Sequence, residues 1–294
     1  MKVSVLMGGA SAERDVSLKT GKAVIKACEE LGYNTIPVDF YDDYESTLAV
    51  LKNADIVFNA LHGTTGEDGT IQLWLEKNDI PFTGSDSNSS KLCMNKDRSK
   101  KVVRQNNFLT PDWFLISKRT KLNKINLPCI VKPNAQGSTF GLSMIENTEG
   151  LNDAIRLGFK YDNDVLIENY IKGREITVGI LDGKPLPIIE IIPNHSLYDY
   201  ECKYISGMSK YLCPADIDSN LEHEIKNDSL DIFKILGCKS YGRLDFILDN
   251  DNNYRFLELN TLPGMTSTSL LPIAAKRQGL LFSELIDLII KTSS

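Results

Sequence analysis

Residues 242–260 constrain the chain more than any other stretch. They read Gly-Arg-Leu-Asp-Phe-Ile-Leu-Asp, a polar Asn-Asp-Asn-Asn, then Tyr-Arg-Phe-Leu-Glu-Leu-Asn. Both flanks alternate with period two around a four-residue turn, which predicts a β-hairpin. If 249 pairs with 254, Asp245 faces Glu258, Arg243 faces Asn260, and all four side chains share one face. Like charges directly opposite each other are destabilising, so the two acids need a cation between them or one must hold a proton. Two readings follow. The acids and the oxygen-bearing Asn260 form a hard-cation site suited to Mg²⁺, or the face is solvated and Arg243 neutralises one acid. A β-bulge would shift the register by one and spoil the pairing.

The N-terminal part has a different rhythm. Val3–Met7 is a short β-rich run ended by Gly8-Gly9, and a stripe of Val16, Thr20, Val24, Ala27 and Leu31 predicts a helix stopped by Gly32. Strands follow at 35–40 and 55–61, then a helix carrying Ile71, Trp74 and Leu75. Strands alternating with helices predict a parallel sheet whose ligands gather beyond the carboxyl ends of the strands. The Gly-rich loops 8–11 and 62–69 leave that edge. Near residue 90 the pattern changes. Residues 95–105 are polar and lysine-rich and predict a helix, where a solvated face is the default for Lys96, Arg98, Lys100 and Lys101. Short strands at 112–116, 128–132, 140–145, 165–170 and 174–181 suggest a small α+β unit. A third part carries further strands, a helix near 220–236, the acidic hairpin and a C-terminal helix near 282–291. The expected fold class is α/β followed by α+β, with units at 1–94, 95–181 and 182–294.

Composition excludes several function classes. The net charge is −6 over 294 residues, which lacks the global field of a nucleic-acid binder, although it leaves room for a local basic patch. No run approaches the ~18 apolar residues of a membrane span, and the apolar core of Met1–Gly8 is too short for a signal peptide. The six cysteines at 28, 93, 129, 202, 213 and 238 include no C-x-x-C pair, which implies free thiols in a reducing cytoplasm.

Residues 128–133 read as a strand ending in Lys132, followed by Asn-Ala-Gln-Gly-Ser-Thr and a second strand. A Walker A loop needs the glycine before the lysine and a helix after it, so this is not a P-loop. A Gly-Ser-Thr turn between strands can still present N–H groups to phosphate. It can also be an ordinary hairpin turn.

Taken in order, these motifs stop being independent. Gly-Gly-Ala-Ser-Ala-Glu-Arg-Asp-Val-Ser (8–17), His-Gly-x-x-Gly-Glu-Asp-Gly (62–69), Lys-Pro-x-x-x-Gly-Ser (132–138), Tyr-Asp-Tyr-Glu-x-Lys-Tyr (198–204), Gly-Arg-x-Asp (242–245) and Glu-x-Asn-Thr-x-Pro-Gly-Met-Thr-x-x-Ser (258–269) resemble the D-alanine–D-alanine ligases, a family of ATP-grasp enzymes. The resemblance covers nearly the whole chain. It implies an ATP-grasp fold in which a parallel-sheet domain precedes two α+β domains that clamp ATP. It also implies a usually homodimeric cytoplasmic enzyme, with no nucleic-acid or membrane partner, that joins two D-alanines for peptidoglycan. Two Mg²⁺ ions, which Mn²⁺ can replace, are implied at Asp245, Glu258 and Asn260, with Glu258 bridging.

By the same resemblance, Lys96 and Lys132 touch the ATP phosphates, Glu168 and Glu175 hold the adenine and ribose region, and Lys203 reaches the γ-phosphate. Arg243 and the Gly264 N–H stabilise the developing oxyanion. Glu13 binds the first ammonium, His62 lies near that substrate, and Ser269 with the Leu270 backbone binds the second carboxylate. Glu13, Ser138 and Tyr204 close the lid loop, and a tyrosine at 204 favours D-alanine over D-lactate or D-serine. His195 and His223 receive no role.

The chain departs from the family pattern at Asn95, Gln136, Thr139 and Phe140; Thr139 stands where a serine is common and keeps a hydroxyl. Asn95 stands where an aspartate is common, Gln136 where an acid is common, and Phe140 where a smaller residue is usual. None removes a charge that the chemistry needs.

Overall fold

The computed structural model describes residues 1–294 apart from 121–124, 196, 197, 199–201, 203, 204, 206 and 294. Strands β1 (Lys2–Gly8), β2 (Asn34–Phe40) and β3 (Ile56–Asn59) form a sheet in the order β2-β1-β3, parallel throughout. Helix Arg14–Glu30 packs on β1, and Gly21 is where the two meet, because a Cβ there would lie 2.4 Å from the Met7 sulfur. Loops 8–11 and 62–69 leave the carboxyl ends of β1 and β3, as the alternating pattern predicts.

A second sheet, in the order β4-β7-β5-β6, is antiparallel in each of its pairings. It comprises β4 (Trp113–Ser117), β5 (Cys129–Pro133), β6 (Ser143–Ile145) and β7 (Asp164–Asn169). Helix Leu151–Tyr161 covers it and buries Ala154 and Ile155 against Val131, Val165 and Ile167.

The third sheet runs β11-β10-β8-β12-β13, with β9 beside β8. Its strands are β8 (Gly173–Leu181), β9 (Lys184–Pro185), β10 (Ile189–Pro193), β11 (Ser209–Leu212), β12 (Tyr241–Asp249) and β13 (Tyr254–Asn260). The strand at 174–181, read from sequence as the end of the central unit, pairs with β12 along its whole length. The boundary expected at 181/182 therefore falls after a strand of the later sheet. Helix Ser219–Ile235 covers one face of this sheet through Ile225, Ile232 and Phe233.

The C-terminal helix Phe282–Ser293 returns to the first unit. Its Leu285, Ile286, Ile289 and Ile290 share one core with Val3, Val5, Val24 and Ala27. Each such fully buried aliphatic side chain contributes on the order of 1.5–3 kcal/mol, so the first and third units are bound by apolar burial. Among the described residues no helix is long and apolar enough to cross a membrane, and all six cysteines are free thiols.

Candidate active site

The acidic hairpin forms, and its registers differ at its two ends. Arg243 pairs with Asn260 and Asp245 with Glu258, as alternation predicts. Beyond them the register shifts, so that Phe246 pairs with Phe256 and Leu248 with Tyr254; the expected 249–254 pairing does not occur. The extra residue is Leu257. Phe256 and Leu259 both enter the core, while Leu257 and Glu258 line the cleft. The bulge lies on the turn side of the acids, so it leaves their opposition intact instead of spoiling it.

Each acid carries its own cation. Arg243 donates to both oxygens of Asp245, at 2.9 and 2.7 Å, and Thr177 donates to one of them at 2.6 Å. Burial acts to lower the Arg243 pKa, but the Asp245 carboxylate outweighs it and the guanidinium is held firmly protonated. Lys96 Nζ lies 3.0 Å from Glu258, whose side chain is 29 % exposed. The reading in which Arg243 neutralises one acid is thus realised, but in a cleft wall and not on a solvated face. The donor set also fits a hard cation. Glu258 and Asn260 line one cavity and Asp245 and Glu258 the next, so two carboxylates and an amide oxygen converge with Glu258 common to both. Among the described residues no group of three or more His, Cys, Asp or Glu competes with this set.

The lysine-rich helix Lys96–Gln105 is not the solvated face that composition suggests. Lys96, Asp97, Ser99, Lys100 and Val103 are buried, and Lys100 is 0 % exposed. Asn95 caps this helix by accepting from Arg98 N at 3.0 Å, so the departure from aspartate keeps a good N-cap. Glu168 on β7 is shared between two ammonium groups, Lys132 at 3.1 Å and Lys100 at 2.6 Å. Burial would raise the Glu168 pKa, but the two lysines overcome it and hold it below the usual carboxylate range. Burial lowers the Lys100 pKa to about 8 against the pull of Glu168. Sequence reasoning passed over Lys100. The signal was the spacing of Lys96, Lys100 and Val103 on one helical stripe.

The loop between β5 and β6 folds over the cleft. Lys96 Nζ donates to Gln136 O at 2.8 Å and Asn134 accepts from Asp97 N at 2.9 Å. Ser138 donates to the carboxylate of Glu13, which is buried at the start of helix Arg14–Glu30. Ser138 and Thr139 hold left-handed backbones, φ +49° and +58°. Phe140 stacks on Tyr161, ring centroids 5.9 Å apart. On the other side of Glu13, Gly63 has φ +72°, and a Cβ there would lie 2.7 Å from a Glu13 oxygen. His62 sits buried between Thr20 and Glu67, 3.1 Å from each. Of the expected lid trio, Glu13 and Ser138 meet. Tyr204, like Lys203, lies outside the described residues.

Two adjoining cavities result. One, of 330 Å³, is lined by Glu13, His62, Ser138, Arg243, Glu258, Asn260, Gly264, Ser269 and Leu270. Ser269 and Leu270 begin helix Leu270–Arg277, whose N-terminus favours an anion. The other, of 130 Å³, is lined by Lys132, Glu168, Glu175, Asp245 and Phe140 between the second and third sheets. Lys96, Gly137, Tyr198 and Glu258 line both. One chamber thus offers a carboxylate and a helix N-terminus for small zwitterions. The other offers lysines and apolar walls for a phosphorylated ligand, and the acids and Arg243 stand between them.

Comparison with known proteins places this arrangement. The family models described as "D-ala D-ala ligase N-terminus" and "D-ala D-ala ligase C-terminus" match residues 41–85 and 100–291. The D-alanine–D-alanine ligase of Aquifex aeolicus is 45% identical over 293 residues, covering 99% of this chain and 100% of that protein. The crystal structure of the Bacillus anthracis D-alanine–D-alanine ligase complexed with ATP superposes with a TM-score of 0.88 at 36% identity, covering 100% of this chain and 97% of the other. The VanG D-Ala:D-Ser ligase of Enterococcus faecalis follows at 0.86 and 28%, covering 100% and 99%.

Proposed function

The chain belongs to the D-alanine–D-alanine ligase family of ATP-grasp enzymes, and from that premise we propose that it joins two molecules of D-alanine, at the expense of ATP, through an acyl phosphate. The product is the dipeptide used in peptidoglycan, and the reaction is cytoplasmic. A carboxylate is a poor electrophile. Transfer of the γ-phosphoryl group to a carboxylate oxygen of the first D-alanine supplies a leaving group. The amine of the second D-alanine then attacks the acyl carbon, and phosphate departs with the oxygen it received.

The positions of the side chains support the following assignment of roles. Glu13 receives the first ammonium, and His62 orients it beside Glu67. Ser269 and the N–H groups at the start of helix Leu270–Arg277 receive the second carboxylate. Lys96 and Lys132 face the nucleotide phosphates, while Glu168 and Glu175 hold the base and ribose. Arg243 and the Gly264 N–H, which line the same chamber as Glu13 and Ser269, are assigned to the negative charge that develops on the attacked carboxyl oxygen. Asp245, Glu258 and Asn260 would hold Mg²⁺, which would neutralise phosphate charge. The Ser138–Glu13 bond closes the loop and limits hydrolysis of the acyl phosphate.

The observation that carries this reading is Glu258, opposite Asp245 in register and lining both chambers. The test is phosphate release from ATP, Mg²⁺ and D-alanine, with dipeptide measured in parallel. The expected result is one phosphate for each dipeptide, with L-alanine inactive. No release above background from folded protein ends the reading. Faster turnover with D-serine as second substrate would move the chain towards a D-Ala:D-Ser activity.

A further inference from the structure

Lys100 lines neither chamber, yet it is the most completely buried of the cleft's cations. A lysine is almost never fully buried unless paired, and its ammonium has three hydrogens to satisfy. Thr110 Oγ1 at 2.7 Å and Phe256 O at 3.3 Å accept from it, and Glu168 Oε2, 2.6 Å away, is its ion-pair partner. The ring of Trp113 lies 5.6 Å away. These partners come from β7, from the segment before β4, and from β13, so one ammonium ties the second sheet to the edge of the third.

Glu168 is the shared element. One of its oxygens faces Lys100 and the other faces Lys132 at 3.1 Å. We propose that Lys100 is a positioning residue for the nucleotide chamber: it holds Glu168 from behind, so that Lys132 is not committed to that carboxylate alone and keeps its Nζ for phosphate. The inference rests on the reading of Glu168 and Lys132 as nucleotide contacts. Without Lys100, a buried carboxylate has one cation left. Lys132 closes on it, and the positive charge that faces the phosphates is spent inside the protein. A lysine whose pKa is lowered by burial to about 8 still carries its charge at neutral pH.

The test uses the full chain carrying Lys100→Met, with ADP binding by calorimetry, steady-state KM for ATP and for D-alanine, and melting temperature. A charge-assisted bond of this kind predicts a weakening of ADP binding, and a rise in ATP KM, on the order of tenfold or more. The D-alanine KM stays unchanged. Adding Lys100→Met to Glu168→Gln costs nothing further in ADP binding, because the lysine acts through that carboxylate. Unchanged ADP binding overturns the proposal, as does a lower melting temperature with ATP and D-alanine parameters affected alike, or full additivity in the double variant. If Glu168→Gln itself leaves ADP binding unchanged, the nucleotide role of Glu168 falls instead. Should Lys100→Met not fold, Thr110→Val removes one acceptor and keeps the charge. A weaker ADP affinity at constant D-alanine KM then supports the proposal, and no change overturns it.

Discussion

The Ser138–Glu13 bond holds the loop between β5 and β6 against its own backbone, and that competition can be measured. Ser138 and Thr139 sit in the left-handed region at φ +49° and +58°, at a cost of roughly 1–2 kcal/mol each for residues with a Cβ. Against this stands the hydroxyl of Ser138 on the buried, charged Glu13, and hydrogen bonds to charged groups contribute about 1.5–3 kcal/mol. The terms are of one size, so closure is finely balanced. Ser138→Ala deletes the bond and keeps the strain, and kcat/KM for D-alanine should fall on the order of tenfold to a hundredfold. Ser138→Gly deletes the same bond and relieves the strain at that residue, less about 0.5–1 kcal/mol for the freer open loop. The glycine variant should therefore be the more active of the two. The assay is steady-state turnover in D-alanine at saturating ATP, with limited proteolysis of residues 134–142 in ADP as a readout of closure. A glycine variant slower than the alanine variant, or an alanine variant at full activity, would refute the reasoning.

Other outcomes follow from the same geometry. Glu258→Gln should keep the fold and lose most turnover, because it removes one charge from the proposed cation site; near-normal phosphate release at saturating Mg²⁺ would count against that role. Arg243→Met leaves Asp245 buried beside Thr177 with its strongest partner gone, so urea denaturation should show a loss of about 3–5 kcal/mol. Adding Asp245→Asn should recover much of it. Tyr33, after the first helix, donates to Asp287 on the C-terminal helix, and that bond, reinforced by burial, pushes its pKa from 10.0 up to about 12. A raised pKa means that the folded chain binds more protons, so this stability is fully present below pH 10 and is lost as pH rises through 12. Tyr33→Phe should flatten the melting-temperature profile across that window.

What the sequence carries, and what it does not, separates along physical lines. The acidic face was legible because alternation is local and two facing strands halve the possibilities. The parallel N-terminal sheet was legible because helix and strand periods alternate there. The bulge at Leu257 was not, because Leu257 and Glu258 break period two only if the core positions Phe256 and Leu259 are known to point inward together. The placement of β8 beside β12 is a non-local pairing that no nearby residue announces. Lys100 hid behind composition: a helix with lysines at 96, 100 and 101 reads as a wet face, and only the carboxylate of Glu168, remote in sequence, makes burial tolerable. The candidate site residues were proposed chiefly from motif order, since Glu13, Ser138 and Ser269 have no chemistry that is distinctive in isolation.

The central claim is that a carboxylate is activated by phosphoryl transfer in a cleft whose two chambers meet at Glu258. Its most direct test is turnover with D-alanine whose carboxylate carries heavy oxygen, followed by mass analysis of the phosphate released. The account predicts that heavy oxygen passes from amino acid to phosphate once for each dipeptide formed. Unlabelled phosphate accompanying dipeptide formation would contradict it.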